Sequence, residues 1–382
     1  MKKKSISQFL LIFCLMSISL ATGSLLKKNV DFSPFENRVL DHVKRPSPKE
    51  FLSGEWFNSF ETAQLDQVIG RNIFIETNSR LLRLLGKRQI NGITVGTDNT
   101  LLQIKADFPP PPDKKNFITE DLLRCKRAAD SYGGQVYYMN IYPRNLFFKE
   151  VFPYSYEKEI PDNYLEKNQE TLHMLENYGI RTVDTYPAFI ANSNEYLYFH
   201  TDHHYTFKGA YHAYQALLQS IEASSPEKKP LPIPPWDEMQ YYRPNKQFWG
   251  SLISQIGDTQ YDGQDYLEYA LPVDFPTEYE RFESGIPSDL SLIREDPSEE
   301  YGWFMNGDYG NTVICTHRKN LPSILIIGYS FTDALELMAV YSFNEMHSID
   351  PRLFEGDIME YIKQVKCDYV VIQGANPLTI SD

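Results

Sequence analysis

From about residue 119 onward, short apolar segments alternate with segments that carry a helical pattern. The apolar segments have the length of strands and comprise Gln135–Ile141, Arg181–Thr185, residues 323–330 and Tyr369–Ile372. The helical segments comprise residues 161–179, an apolar stripe from Phe207 to Ile221, Thr332–Tyr341 and a stripe from Ile358 to Val365. Strands that alternate with helices predict a parallel sheet with helices on both faces. We therefore expect an α/β fold.

The N-terminus has the pattern of an export signal. Lysines at positions 2–4 precede an uncharged, largely apolar run over residues 9–26, which Lys27 and Lys28 close. A run of this length lies between a signal-peptide core and a short membrane span, and the lysines favour a cytoplasmic N-terminus. A buried core helix is the alternative. We expect residues 1–28 to be a signal peptide or signal anchor, and the remainder to be membrane-anchored facing outward or secreted.

Changes in pattern divide the rest of the chain. Residues 29–118 are irregular and partly helical, and they contain the proline run Pro109–Pro112, which cannot continue a helix or a central strand. We expect a core built from residues 119–221 and 311–382. The acidic, weakly periodic segment between them, residues 222–310, is predicted to be an inserted lobe outside the sheet.

Charge and cysteine content narrow the possible partners. The formal net charge of −14 repels polyphosphates, so we expect no nucleic-acid partner. Cys14 lies in the apolar run, and Cys125, Cys315 and Cys367 lack the spacing of a zinc site or a disulfide framework. Three buried reduced thiols, or one bridge with one free thiol, remain open. We expect no metal and no cofactor.

Ser330 follows an apolar strand and precedes a helix, in the string Gly328-Tyr329-Ser330-Phe331-Thr332. A serine at such a turn exposes its hydroxyl, and the N–H groups of the helix N-terminus can stabilise an oxyanion. The string differs from the Gly-x-Ser-x-Gly elbow because Thr332 occupies the second glycine position. A simple helix cap is the alternative role. Ser330 is therefore a candidate nucleophile.

Four of the eight histidines, His200, His203, His204 and His212, lie within thirteen residues. In an extended segment Asp202 and His204 point the same way, so the carboxylate can hold the imidazole tautomer of a general base. A solvated polar loop is one alternative, and a zinc or manganese site is another. The metal site requires a helix, since His200 and His204 lie about 13 Å apart when extended. Thr206 is predicted to cap the following helix.

The string from Thr201 to Tyr211, Thr-Asp-His-His-Tyr-Thr-x-x-Gly-Ala-Tyr, resembles the signature of the DHHW family of exported bacterial proteins, with Tyr205 in place of tryptophan. Further matches follow in order along the chain: Glu36-Asn37-Arg38, Asp66-Gln67 with Arg71, Asn91-Gly92 with Gly96, Pro143, Asp184 before Tyr186-Pro187, and Asp350 with Arg352. That family is similar to the alginate O-acetyltransferase proteins. The resemblance implies a flavodoxin-like parallel sheet of the SGNH-hydrolase type with permuted strand order.

The resemblance also implies roles for individual residues. Ser330 would be the nucleophile, His204 the general base and Asp202 the group that orients it. We expect substrate contacts from Arg144, Asn145, Tyr205, Tyr329 and Arg352. Tyr329 stands where the family usually has an aspartate, which alters the shape of the pocket. Asn140 and Asn145 flank a strand end, and neither is assigned to the oxyanion hole.

The implied activity is O-acyl transfer, chiefly of acetyl groups, to an extracellular polysaccharide, or their removal from it. No cofactor is needed for this chemistry. Because acetyl-CoA is cytoplasmic, a transferase outside the membrane requires a partner that delivers acetyl groups, such as a multi-pass membrane acyltransferase. Two other functions stay open: a catalytically silent glycan-binding or polysaccharide-export scaffold protein, and a metal-dependent hydrolase that uses the histidine cluster.

Overall fold

The computed structural model describes residues 2–33, 38–103, 112–153, 163–224, 229–245, 248–261, 263, 265–295 and 301–374. The chain divides into two compact units, one of residues 1–93 with 252–261 and one of residues 94–251 with 262–382. Two features expected from the sequence lie outside the described residues, namely the Glu36-Asn37 pair and the prolines before Pro112.

The N-terminal unit is mainly helical. Its elements are α1 (Lys2–Leu26), β1 (Phe32–Ser33), β2 (Arg38–Val39), α2 (Pro48–Ser53), α3 (Glu55–Asp66), α4 (Arg71–Leu84) and β3 (Gln89–Ile90). Ser47 and Glu50 form a capping box that begins α2. Arg80 and Arg83 on α4 both bind the buried carboxylate of Asp258, which ties residues 252–261 to this unit.

The predicted export segment coincides with α1. Within the described residues, no helix combines the length and the apolar character needed to cross a membrane. Export remains a prediction.

The second unit is built on an eight-stranded sheet. Short strands outside it are β4 (Ile93–Val95), β5 (Leu101–Gln103), and the antiparallel pair β8 (Gln240–Tyr242) and β9 (Tyr269–Leu271). In spatial order the sheet comprises β11 (Ile286–Pro287), β10 (Glu280–Glu283), β12 (Asn311–Cys315), β14 (Glu345–Ile349), β13 (Ser323–Ile327), β15 (Tyr369–Gly374), β6 (Gln135–Asn140) and β7 (Arg181–Asp184). The strands from β14 to β7 are parallel, and β11, β10 and β12 are antiparallel.

The parallel strands have a permuted flavodoxin-like order. Counted from β13, the spatial sequence β14-β13-β15-β6-β7 reads 2-1-3-4-5, which is the flavodoxin-like order. In this chain the fourth and fifth strands of that order come first. The predicted α/β class and the permuted parallel sheet are confirmed.

Helices cover both faces of the sheet. They are α5 (Pro112–Asp130), α6 (Tyr164–Asn177), α7 (Tyr186–Ala191), α8 (Phe207–Ala223), α10 (Asp333–Ser342) and α11 (Ile358–Val365). One further helix, α9, spans Ser251–Ile256. Along β13, Ile324 and Ile326 join the apolar cluster that contains α8 and α10. Leu325 and Ile327 join the cluster that contains α5 and α11. Burial on both faces explains why this strand is continuously apolar.

The segment 222–310 contributes strands to the sheet, so our expectation that it stays outside was wrong. Glu280–Glu283 of β10 pair antiparallel with β12, and β11 forms the edge. We also did not predict β14, whose Glu-Met-His-Ser-Ile sequence mixes polar and apolar residues. Because β10 and β14 contain polar side chains, they do not form the apolar runs by which the other strands were predicted. The predicted limits of the core and lobe remain a prediction.

Candidate active site

Ser330 lies at the carboxyl end of β13, in a single 3₁₀ turn over Ser330–Thr332 that leads into α10. Gly328 allows the chain to turn here, because a Cβ atom on it would lie 2.4 Å from Cγ2 of Thr332. The first N–H groups of a helical turn have no carbonyl partner inside the helix. The hydroxyl of Ser330 therefore lies beside donors that suit an oxyanion.

Asp202 and His204 lie in a loop that is not helical, between the bridged residues Tyr198 and Tyr205. Oδ1 of Asp202 accepts hydrogen bonds from the backbone N–H of His204 at 2.9 Å and from its Nδ1 at 2.6 Å. Nε2 of His204 lies 2.7 Å from Oγ of Ser330. With the Nδ1 proton on the Asp202 side, Nε2 is free to accept the serine proton.

The other oxygen of Asp202 binds a backbone N–H group. The backbone N–H of Ser251 donates to Oδ2 of Asp202 at 2.7 Å. Burial raises the pKa of the Asp202 carboxyl, but the charges of His204 and His203 and these hydrogen bonds outweigh burial and hold that pKa well below its usual range. Asp202 is therefore ionised and fixed beneath the imidazole.

Asp265, in the segment expected to be a lobe, shapes the loop that precedes Asp202. Its buried carboxylate accepts hydrogen bonds from the backbone N–H of Thr201 at 2.6 Å and from that of His200 at 2.7 Å. It also accepts from the hydroxyls of Thr201 at 2.5 Å and Tyr196 at 2.6 Å. Asp265 was not predicted as a site residue, because one aspartate in a long acidic segment carries no local signal.

Aromatic rings enclose the imidazole of His204. The ring of Tyr301 is parallel to it with centroids 4.0 Å apart, and the ring of Phe331 lies 4.6 Å away at 51°. Tyr301 is buried, and within the described residues its hydroxyl has no hydrogen-bond partner. Tyr301 was not predicted as a site residue. Its contribution is therefore its ring, which limits the rotation of His204.

Tyr205 connects the histidine loop to the serine turn. Its buried hydroxyl donates to the backbone carbonyl of Phe331 and accepts a hydrogen bond from Nε2 of Gln373 at 3.1 Å. Burial raises the pKa of the Tyr205 hydroxyl well above its usual range, so it stays a donor. We therefore assign Tyr205 a positioning role between His204 and Ser330.

Arg144 and Asn145 also bind the protein's own backbone. The guanidinium of Arg144 donates to the carbonyls of Leu101, Phe199 at 2.6 Å and His200 at 3.1 Å. Burial lowers the pKa of Arg144 to about 10, which still leaves it charged. Asn145 donates to the carbonyl of Gln103 at 2.8 Å. Both side chains are buried, and Arg144 positions the loop before Asp202, while contact of either side chain with substrate remains a prediction.

Tyr329 and Arg352 lie nearer the surface, beside the serine. The guanidinium of Arg352 lies 5.2 Å from the ring centroid of Tyr329 and pairs with Asp350 and Asp308. The Arg352 side chain is 47% exposed, and contact of Arg352 or Tyr329 with substrate remains a prediction. Asn140, by contrast, donates to Asn168 at 3.3 Å and is buried.

The four clustered histidines do not converge on one point. The ring of His200 faces the carbonyl of Gly263, and that of His212 faces Glu195. Asp202, His203 and His204 offer ligand atoms within 4.8 Å of one another, as a metal site would require. The ligand atoms of Asp202 and His204 already take part in the hydrogen bonds that connect Asp202 to His204 and His204 to Ser330. A metal site shared by His200 and His204 was expected only if this segment were helical, and the segment is not helical.

Behind the serine turn lies a buried carboxyl, Glu336 on α10. Its Oε1 accepts hydrogen bonds from the hydroxyls of Thr332 and Ser348, each at 2.5 Å. Burial raises the pKa of Glu336 to about 7, although these hydrogen bonds oppose the rise. Glu336, whose pKa is about 7, therefore binds the last residue of the Ser330 turn, Thr332.

Known proteins with this fold were identified by comparison. A family model described as "SGNH hydrolase-like domain, acetyltransferase AlgX" matches residues 116–235. A DHHW family protein from Eubacterium siraeum DSM 15702 is 23% identical, with a TM-score of 0.58 over 75% of this chain and 91% of that one. PatB1 from Bacillus cereus, solved with a sulfonyl adduct, is 18% identical, with a TM-score of 0.60 over 74% and 92%. No curated protein matches the chain.

The family match includes Asp202 and His204, while Ser330 lies beyond it. The two structural likenesses cover about three quarters of the chain and support its α/β fold. The resemblance indicated by the sequence is confirmed, because residues 116–235 match the model of an SGNH hydrolase-like domain and the chain shares its fold with the DHHW family protein.

Proposed function

We propose that this protein transfers acetyl groups to an extracellular polysaccharide, or removes them from it, with Ser330 as its nucleophile. The observation that carries the proposal is the line from Asp202 through His204 to Ser330, with contacts of 2.6 Å and 2.7 Å. The match of residues 116–235 to an acetyltransferase domain supports acyl chemistry at this site.

The geometry supports the following first half of the reaction. Oγ of Ser330 attacks the carbonyl carbon of an acetyl ester while its proton passes to Nε2 of His204. Asp202 stabilises the imidazolium that forms, and N–H groups of the Ser330 turn stabilise the oxyanion. The bond between the acetyl carbon and the leaving oxygen then breaks, and His204 returns the proton to that oxygen.

The second half repeats these steps with a different attacking group. A sugar hydroxyl gives its proton to His204 and takes the acetyl group from Ser330, which completes transfer. If water attacks instead, acetate is released and the hydroxyl of Ser330 is regenerated. As a transferase outside the membrane, the protein would receive acetyl groups from a multi-pass membrane acyltransferase. The N-terminal segment would direct its export.

An activated ester tests the nucleophile directly. The full chain is mixed with p-nitrophenyl acetate, and the mass of the intact protein and of its peptides is measured. We expect one acetyl adduct on the peptide that contains Ser330, and none in the Ser330→Ala variant. A sulfonyl fluoride should label the same serine. An unmodified wild-type Ser330, or a Ser330→Ala variant that turns over like wild type, would overturn the proposal.

The same experiment distinguishes a transferase from an esterase, and either of these from a metal-dependent hydrolase or a glycan-binding protein. Added oligosaccharides should accept the acetyl group if the protein is a transferase, whereas release of acetate alone indicates an esterase. Turnover that is abolished by a chelator and restored by zinc or manganese would indicate a metal-dependent hydrolase. Oligosaccharide binding without any adduct would indicate a glycan-binding protein.

A further inference from the structure

Three neighbouring strands at the antiparallel side of the sheet align a thiol between two carboxylates. In the register of the sheet, Cys315 on β12 is directly opposite Glu280 on β10 and Glu345 on β14. Side chains of directly opposite residues project from the same face, with Cβ atoms about 5 Å apart. The sheet therefore fixes the thiol of Cys315 beside two acidic side chains.

His317 completes this group just after β12 ends. Its Nδ1 lies 3.7 Å from Sγ of Cys315, and its Nε2 lies 3.5 Å from Oε2 of Glu280. One ligand atom from each of Glu280, Cys315 and His317 lies within 4.8 Å of the others. In a tetrahedral zinc site, bond lengths of about 2.3 Å to sulfur and 2.0 Å to nitrogen place those two atoms roughly 3.5 Å apart. The observed separation of sulfur and nitrogen fits that edge.

The group lies at the opposite end of the sheet from Ser330. Cys315 is level with Glu345, which is level with Ser323 at the start of β13. Ser330 follows the other end of β13, so the length of that strand, about 15 Å, separates the two places. Any ion bound near Cys315 is therefore outside the hydrolase-type site.

From this donor set we infer that Glu280, Cys315 and His317 bind a zinc ion, with water as the fourth ligand. A thiolate and an imidazole select zinc over magnesium or calcium, which prefer oxygen ligands. The side chains of His317 and Glu280 are 57% and 60% exposed, so the ion can enter from solvent. Bound zinc would link β10 to β12 and shield the partly exposed thiol.

Cobalt tests the site independently of acyl transfer, because a cobalt–thiolate bond gives a near-ultraviolet charge-transfer band. The tag-free, reduced full chain is titrated with Co²⁺ and then with Zn²⁺. We expect a band that saturates at one ion per chain and disappears as zinc displaces cobalt. Cys315→Ser should abolish the band, and His317→Ala should weaken binding at least tenfold.

The matched control is Cys14→Ser, since Cys14 is also accessible but lies in α1 without these neighbours. This variant should keep the full band. No band in wild type, or a band of equal strength in Cys315→Ser, would overturn the inference. If Cys315→Ser does not fold, the exposed His317→Ala decides, and wild-type affinity in that variant overturns it. Cys315 alkylation in wild type, mapped by peptide mass, should also slow when zinc is added.

Discussion

The phenol ring of Tyr301 and the imidazole of His204 are parallel, with their centroids 4.0 Å apart. Tyr301 comes from the long segment between the two halves of the predicted core, and it is buried. A π face over an imidazole stabilises the imidazolium that would form in the proposed acyl transfer, and it also limits ring rotation. The stack therefore links a residue of that segment to the candidate general base.

Replacement of Tyr301 should separate the ring from its hydroxyl. Tyr301→Phe keeps the stack and removes a hydroxyl that has no partner in the described residues, so we expect turnover and stability close to wild type. Tyr301→Leu should lower kcat for p-nitrophenyl acetate roughly tenfold to a hundredfold with little change in KM, because His204 loses its alignment. A Leu variant with wild-type kcat would contradict this role.

The adjacent histidines should respond unequally to alanine. His204→Ala removes the group that lies 2.7 Å from the serine hydroxyl, so turnover should fall by roughly 10⁴-fold. The His203 side chain is 46% exposed and contacts Ser251, so His203→Ala should cost far less. The measurement is steady-state hydrolysis of p-nitrophenyl acetate. Equal losses in the two variants would favour the metal-dependent hydrolase.

Gly250 packs directly against the backbone of the loop that carries Asp202. A Cβ atom at this position would lie 2.1 Å from the carbonyl oxygen of Thr201 and 2.5 Å from the backbone nitrogen of Asp202. Gly250→Ala should therefore displace Asp202, with a loss of about 1–3 kcal/mol of unfolding free energy and a larger fall in turnover. Urea unfolding and ester hydrolysis measure the two effects.

Gly302 provides the matched control for that substitution. It neighbours Tyr301, but the nearest atom to a Cβ there is Cα of Gly307 at 3.6 Å, an ordinary contact. Its φ of −60° also suits alanine. Gly302→Ala should keep the stability and turnover of wild type. If both variants lose activity alike, the close approach at Gly250 is not the cause.

Glu336 should make stability depend on pH near neutrality. Burial raises the pKa of this carboxyl from 4.5 to about 7, so the folded protein holds the proton more tightly than the unfolded chain. The resulting stabilisation is complete below about pH 4.5 and is lost as pH rises through 7, a change of about 3 kcal/mol.

An isosteric substitution isolates this contribution. Glu336→Gln can accept the same hydrogen bonds from Thr332 and Ser348 but has no proton to lose. We expect the variant to unfold at higher urea than wild type at pH 8 and at a similar concentration at pH 5. Glu360→Gln, whose side chain is 73% exposed, is the control and should match wild type at both values. No gain at pH 8 would mean that Glu336 is not the titrating group.

Local patterns in the sequence determined four of the five parallel strands, namely β6, β7, β13 and β15, and the candidate triad residues. Strands β6, β13 and β15 are buried on both faces, which requires near-continuous apolar runs, and these are visible residue by residue. The helix from Phe207 to Ile221 shows its buried stripe in the same way, and Thr206 caps it as expected. Ser330 and the Asp202–His204 pair were identifiable because their chemistry depends on residue type at short spacing.

Only the tertiary structure decided what surrounds these residues. Ser251 holds Asp202 through a backbone N–H, a contact that any residue type can make and that therefore leaves no mark in the sequence. Asp265 and Tyr301 reach the site from positions far along the chain, where a single polar or aromatic residue has no pattern. The neighbours Glu280 and Cys315 meet because strand register pairs residues that are distant in sequence. Residue type and short-range spacing can be read from neighbouring positions in the sequence. Strand register and backbone contacts form only when the chain folds.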